Sequence, residues 1–328
     1  MKEINIGIMG AGRIANRIAD TVNQMSIAKI KAVASREVGR AKLFAEKYSI
    51  EKAHSYEELM NDDDVDLVYI ATPASHHMEH AIRCLKHGKH VLVEKPFAVN
   101  AFEADKVLSF ARVNKLLAAE AIWPRYMPMA HLISKFCKSE QIGDITSITC
   151  NLGYPVTYKQ RVMDINLCGG ALLEVGIYPL TFAVIVFGHS IKKLSVSAAF
   201  DKSGVDLSEN VGIEFNGGEI ASIFSSICCH TNRLGVIHGN KGYAEVHNIN
   251  NYEKICVYNA DRVLISQVDR PEQLTGYEYQ IYAVWEAINK RLTECPQMPH
   301  DEIVRMMKLM DNIRSEMGLY YPSELRTN

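Results

Sequence analysis

The chain has 328 residues, 48% hydrophobic and 23% charged, with 36 Lys+Arg against 38 Asp+Glu and a formal charge of −2. This is the composition of a globular protein with core enough for about two domains. Its balanced, unblocked charge excludes a general electrostatic hold on nucleic acid or an acidic membrane. No stretch reads as the roughly 20-residue apolar run that crosses a bilayer, and residues 1–7 carry no signal-peptide core. The eight cysteines show neither a C-x-x-C pair nor zinc spacing, so they are expected as reduced thiols in a cytoplasmic protein.

Short β-branched runs alternate with helical patterns through the first third, which predicts strands at 4–9, 30–35, 67–71, 90–94 and 116–119. Helices are predicted between them at 13–23, 39–47, 77–86 and 101–114. From about residue 120 the pattern changes. Helices are expected at 129–138 and 170–186, then strands at 191–200, 210–215, 219–228, 233–238, 242–247, 255–259 and 262–267. Turn pairs such as Asn216-Gly217-Gly218 and Asn240-Lys241-Gly242 punctuate them. Helices at 276–291 and 301–317 close the chain. The fold class is therefore α/β plus α+β. A doubly wound parallel sheet occupies residues 1–120, and residues 121–328 carry an open, mostly antiparallel sheet.

The first strand runs into Gly10-Ala11-Gly12-Arg13-Ile14-Ala15, a G-x-G-x-x-A turn at the start of a helix. Gly10 permits the tight turn and Gly12 lets backbone approach a pyrophosphate. Ala15 keeps helix and strand close, and the helix N-terminus offers free N–H groups to the anion. Strand, turn, helix and second strand in sequence are the context that gives this pattern meaning as a Rossmann signature. The second strand ends in Ser35-Arg36-Glu37, where an NAD enzyme usually places an acid for the ribose. A hydroxyl and a guanidinium suit a 2′-phosphate instead, so NADP is the expected cofactor. NAD stays open through Glu37.

Ala71-Thr72-Pro73 follows one strand. Glu94-Lys95-Pro96 ends another, putting a lysine on the edge where open α/β sheets bind ligands. With Gly169-Gly170-Ala171-Leu172-Leu173-Glu174-Val175-Gly176-Ile177-Tyr178-Pro179, these segments resemble the glucose–fructose oxidoreductase / inositol dehydrogenase / rhizopine catabolism (Gfo/Idh/MocA) family, over essentially the whole chain. Glu120-Ala121-Ile122-Trp123-Pro124-Arg125-Tyr126, Arg161 and Tyr178 look most like its dihydrodiol dehydrogenase and NADP-dependent aldose dehydrogenase branch. The resemblance implies an N-terminal NAD(P) domain and a sugar- or diol-like substrate held between the domains. It also implies a homodimer or homotetramer formed through the C-terminal sheet, and a cis bond between Lys95 and Pro96.

Hydride exchange at a carbinol carbon needs a partner proton transfer at oxygen. A free tyrosine titrates near pH 10, and a nearby ammonium favours its phenolate. Lys95 and Tyr178 are accordingly the expected proton-handling pair, with Lys95 also able to relay the proton itself. Glu174 lies four residues before Tyr178, on the same helix face. The branch has Asp at that position, so the carboxylate reaches one bond further here. Thr72, Pro73, His77 and Glu94 complete the expected cofactor contacts, with Gly10, Gly12, Arg13, Ile14, Ser35, Arg36 and Lys95. Trp123, Arg125 and Arg161, with Lys95, Glu174 and Tyr178, are expected at the substrate.

His76, His77 and His80 lack a completing carboxylate or thiol, and no metal is expected. Cys228 and Cys229 read as packing residues of a strand. The Met306-Met307 and Met310 stripe reads as core, and Asp62-Asp63-Asp64 as a solvated capping or loop cluster. The expected activity is an NAD(P)-dependent dehydrogenase or reductase acting on CH–OH groups. A redox-silent nucleotide-binding regulator and an NAD-dependent glycosidase are the alternatives.

Overall fold

The structure, a computed structural model, describes residues 1–324. Residues 1–126 alternate strand and helix: β1 (Ile4–Met9), α1 (Arg13–Val22), β2 (Ala28–Ala34), α2 (Val38–Tyr48), β3 (Lys52–His54), α3 (Tyr56–Met60), β4 (Leu67–Ile70), α4 (His77–Lys86), β5 (His90–Glu94), α5 (Ala101–Val113) and β6 (Ala118–Ala121). The strands form one all-parallel sheet in the order β3-β2-β1-β4-β5-β6. Helices cover both faces of such a sheet, so its strands must be apolar on both sides. Ile6, Ile8, Val33, Leu67, Val68, Leu92 and Val93 are accordingly fully buried.

β3 and α3 escape the periodicity reading because both are shorter than two turns of pattern. The helix is held at its start by a capping box, in which Ser55 accepts from the Glu58 N–H and Glu58 accepts from the Ser55 N–H.

The second region begins with α6 (Pro128–Phe136), β7 (Ile145–Gly153) and α7 (Ile177–Phe187). It continues through β8 (Ile191–Phe200), β9 (Asp206–Phe215), β10 (Ile220–Ser226), β11 (Leu234–Gly239), β12 (Gly242–His247), β13 (Lys254–Asn259) and β14 (Leu264–Asp269). The eight strands form one sheet in the order β14-β13-β12-β11-β7-β10-β9-β8. All neighbours are antiparallel except β7 and β10, which run parallel. The sequence reading missed β7, the central strand, whose Ser, Thr and Asn residues dilute its apolar alternation. α7 packs across β7 and β10 and buries Ile177, Leu180, Phe182 and Ala183.

The helical stretch Ile165–Phe187 is long and apolar enough to cross a membrane, contrary to the expectation that no segment is. Most of it is buried inside the protein, which marks it as a core helix.

The last helices are α8 (Glu278–Asn289) and α9 (His300–Glu316). The sequence reading drew a single boundary at 120/121. By compactness, Met1–Tyr126 groups with Gln273–Met307, and Met127–Glu272 with the described residues from Lys308 on. Specific contacts hold 273–307 to the parallel-sheet unit. The Thr21 and Thr275 hydroxyls bond at 2.7 Å, Trp285 Nε1 donates to the Lys2 carbonyl at 2.9 Å, and Trp123 stacks on Tyr277 with centroids 4.3 Å apart.

Candidate active site

In the parallel-sheet unit, β1 turns sharply at Gly10, whose φ is +112°. A side chain there would be strained, and its Cβ would lie 2.8 Å from the Ala71 carbonyl oxygen just beyond the neighbouring strand. Gly12 is the opposite case, because a Cβ built there meets nothing within 4 Å. That open space lies at the N-cap of α1, whose first turn has neither a side-chain cap nor an acidic residue. The free N–H groups and the positive end of the helix dipole thus face room enough for a phosphate, beside the β1/β4 switch point of the sheet. Arg13 is exposed and Ile14 half-buried in this first turn. The residues present suit the phosphates of a dinucleotide.

Ser35 is buried just past β2 while Arg36 is exposed. Arg36 lies within electrostatic reach of Tyr56 and His80, and the Tyr56 hydroxyl meets the Arg36 backbone. His80 stacks against His76 with centroids 5.6 Å apart and bonds the Thr72 hydroxyl through Nδ1 at 3.0 Å. Burial pushes the His80 pKa down to about 4.

His77 is fully buried, with Nδ1 2.8 Å from the Pro96 carbonyl and Nε2 2.8 Å from the Thr72 carbonyl. Two acceptors favour the imidazolium, but desolvation outweighs them and lowers the pKa to about 4. His77 thereby ties the loop after β4 to the loop after β5. Among the described residues no His, Cys, Asp or Glu cluster suited to a metal is present.

Lys95 follows β5 directly, half-buried, and the Lys95–Pro96 bond is cis. Glu94 is buried beside it, receiving the Tyr69 hydroxyl on one carboxyl oxygen and the Lys95 N–H at 3.2 Å on the other. Glu120, on the adjacent β6, is a residue the sequence reading passed over. Its carboxyl accepts the Phe97 N–H at 2.9 Å, and burial raises its pKa to about 8. The available signal was an acid inside the otherwise apolar strand Ala118-Ala119-Glu120-Ala121. Of the other residues expected at the substrate in this unit, Trp123 is buried against Tyr277 and Arg125 pairs with Glu302 at 3.4 Å.

In the mixed-sheet unit, the turn at 168–170 feeds a π-helical segment, Leu172–Gly176, that runs into α7. π turns insert an extra residue into the helical ladder and concentrate at functional sites. From 171 to 184 every residue is buried except Glu174 and Tyr178, which are half-buried. These two are the residues expected to share a helix face. Arg161 grips Glu174 with both guanidinium nitrogens, at 2.7 and 3.1 Å, so two residues expected at the substrate already form one ion pair. The longer Glu side chain is met by a matching bidentate partner.

Cys168 has φ +57°, the left-handed backbone that a glycine would adopt most easily. Asp206, unremarked in the sequence, is buried and accepts the Leu172 N–H at 2.6 Å, which caps the π segment. Burial lifts its pKa to about 6 and pushes that of the neighbouring buried Glu209 well above the carboxylate range. The Tyr321 hydroxyl donates to the Gly169 carbonyl at 3.3 Å, and Arg314 binds Glu324 and Asp311, so the C-terminal segment braces this turn.

Two secondary expectations need correction. Cys228 and Cys229 lie beyond the end of β10 in an exposed bend, because the strand pairing stops at Ser226. They are not packing residues. Asp62 is not solvated. Its carboxylate is held by Lys52 at 2.8 Å and His54 at 3.1 Å.

An uncapped helix behind a glycine turn, at the switch point of a parallel sheet, defines a dinucleotide-binding protein. Residues 4–121 match the Gfo/Idh/MocA oxidoreductase domain with its NAD-binding Rossmann fold, and residues 131–245 match the family's C-terminal domain. The chain belongs to the Gfo/Idh/MocA oxidoreductase family. It is 31% identical over 334 residues to trans-1,2-dihydrobenzene-1,2-diol dehydrogenase of Mus musculus and 30% identical to that of Homo sapiens, covering 98% of both chains in each case. A 3-ketoreductase from Actinomadura kijaniata, solved with NADP and TDP-benzene, superposes with a TM-score of 0.89 at 25% identity, over 96% of this chain and 98% of the other. An aldose–aldose oxidoreductase from Caulobacter crescentus shares the fold, with a TM-score of 0.85 at 20% identity over 96% and 97% of the two chains.

Proposed function

We propose that the protein transfers a hydride between NADP and the carbinol carbon of a sugar, polyol or cyclic diol, or the corresponding carbonyl. The observation that carries this reading is the run from 171 to 184 through the π-helix into α7, where Glu174 and Tyr178 are half-buried and every other residue is buried. A phenol and a carboxylate presented together suit a substrate that offers hydroxyl groups and must gain or lose one proton. The nicotinamide, when bound, supplies or accepts the hydride. Lys95 polarises the substrate oxygen and Tyr178 donates or accepts the proton at that oxygen. Glu174, oriented by Arg161, accepts a hydrogen bond from a neighbouring substrate hydroxyl. Arg36 with Ser35 supports the choice of NADP, because an exposed guanidinium beside a buried hydroxyl can take a 2′-phosphate.

The test is NADPH fluorescence titration with a panel of aldoses, diols and their carbonyl forms, using Lys95→Met and Tyr178→Phe as controls. Loss of about 10²–10⁴ in kcat with cofactor affinity retained is expected for each, the range for removing an acid–base group. Absence of Lys95-dependent turnover on every compound would defeat the proposal. Tight NADPH binding without turnover would favour a regulatory protein instead.

Association of copies through the large sheet is part of the same reading. On β10 the outward Ile220, Ser222 and Phe224 alternate with buried Ala221, Ile223 and Ser225, which leaves apolar side chains on an exposed face. Light scattering of the wild type against Phe224→Glu tests this, and an unchanged mass would rule the face out. The eight free thiols suit a reducing compartment, and we place the protein in the cytoplasm. Fractionation of the native source tests that placement.

A further inference from the structure

We propose that Glu120 is a positioning residue for Lys95, holding the 95–97 bend through the Phe97 N–H and setting the charge beside the lysine. This rests on the assignment of Lys95 to the reaction. Glu120 is 1% exposed on β6, and its strand neighbour β5 delivers Lys95. Its carboxyl reaches past the strand end to the residue two beyond Lys95, at 2.9 Å. The Tyr126 hydroxyl donates to the Glu120 backbone carbonyl at 2.7 Å, so both ends of the residue are fixed.

The charged groups acting on it are Glu94, Lys95 and Arg125. Glu94 ends β5 and Lys95 follows it, Arg125 lies in the turn after β6, and Glu302 on α9 draws the Arg125 guanidinium to itself at 3.4 Å. Among the described residues no salt bridge reaches Glu120. A buried carboxyl beside a second carboxyl and without a paired cation keeps its proton through neutral pH, as its elevated pKa of about 8 indicates. Glu94 accepts from the Tyr69 hydroxyl and the Lys95 N–H. Glu120 thus adds no charge beside Lys95 at neutral pH and adds a negative one once it ionises.

The test replaces Glu120 with Gln, which keeps an acceptor for Phe97 but cannot ionise. The wild-type kcat/KM for carbonyl reduction is expected to show an ionisation near pH 8 that Glu120→Gln lacks, with NADPH affinity unchanged within about twofold. Glu120→Ala, which removes the acceptor, is expected to lower kcat about tenfold or more. Infrared difference spectra of wild type minus Glu120→Gln at pH 7 should show a protonated-carboxyl band that fades by pH 9. This readout is independent of turnover. Superimposable pH profiles, or no such band at pH 7, would overturn the role of Glu120. Wild-type turnover by Lys95→Met would instead remove the Lys95 assignment, while the infrared result still reports on Glu120 itself.

Discussion

The two ends of the chain's chemistry make opposite demands on glycine, and a paired substitution separates them. At Gly170, φ is +120° and an added Cβ would sit 1.9 Å from Asp206 Oδ1. The carboxylate is buried and pinned to the Leu172 N–H at 2.6 Å, so it cannot swing aside freely. Gly170→Ala therefore carries a backbone strain of about 1–3 kcal/mol. It also strands a buried N–H or carboxylate, at about 1–3 kcal/mol more. A loss of roughly 2–6 kcal/mol is expected, a large share of the ~5–15 kcal/mol that holds a typical protein folded. At Gly12, φ is −95° and the Cβ site is open, so Gly12→Ala is expected to change stability by less than about 1 kcal/mol. Its methyl occupies the room where backbone must approach a pyrophosphate, and NADPH affinity should fall at least about tenfold, or ~1.4 kcal/mol. Urea unfolding followed by circular dichroism, with NADPH fluorescence titration, measures both. A Gly170→Ala loss under 1 kcal/mol, or a Gly12→Ala protein that binds NADPH normally, would refute the reasoning.

Arg36→Ala should weaken NADPH about ten- to a hundredfold and leave NADH nearly unaffected, because a charge-assisted bond to phosphate is lost. Parallel titrations with the two cofactors check it. Arg161→Ala frees the Glu174 carboxylate from its bidentate partner. Unfolding free energy should move by less than about 1 kcal/mol because the Arg161 side chain is 51% exposed, while kcat/KM drops about tenfold or more through misplacement. Steady-state kinetics and denaturation of the same variant separate the two effects. His77 and His80 stay neutral when folded, with pKa values lowered to about 4, whereas the unfolded chain binds protons near 6.5. Their contribution is present above about pH 6.5 and lost as pH falls towards 4, by up to roughly 3 kcal/mol each. Thermal melts from pH 7 to 4.5 should show that decline, and His80→Gln should make it shallower.

Where one physical pattern repeats along the chain, the sequence determined the outcome by itself. Parallel strands buried on both faces must be apolar throughout, so β1, β2, β4 and β5 were legible, and the glycine turn between β1 and α1 marked the nucleotide site. The spacing of Glu174 and Tyr178 placed them on one face, although the π segment beneath them depends on Asp206, 34 residues beyond Leu172, taking that N–H. Tertiary structure alone decided the contacts made over distance. It paired Arg161 with Glu174, set Glu120 beneath the bend after Lys95, and returned residues 273–307 to the first unit through Thr275, Tyr277 and Trp285. Periodicity reports which side of an element faces the core. It carries no information about which buried acid meets which distant N–H or guanidinium, because that depends on how separate elements are laid against one another.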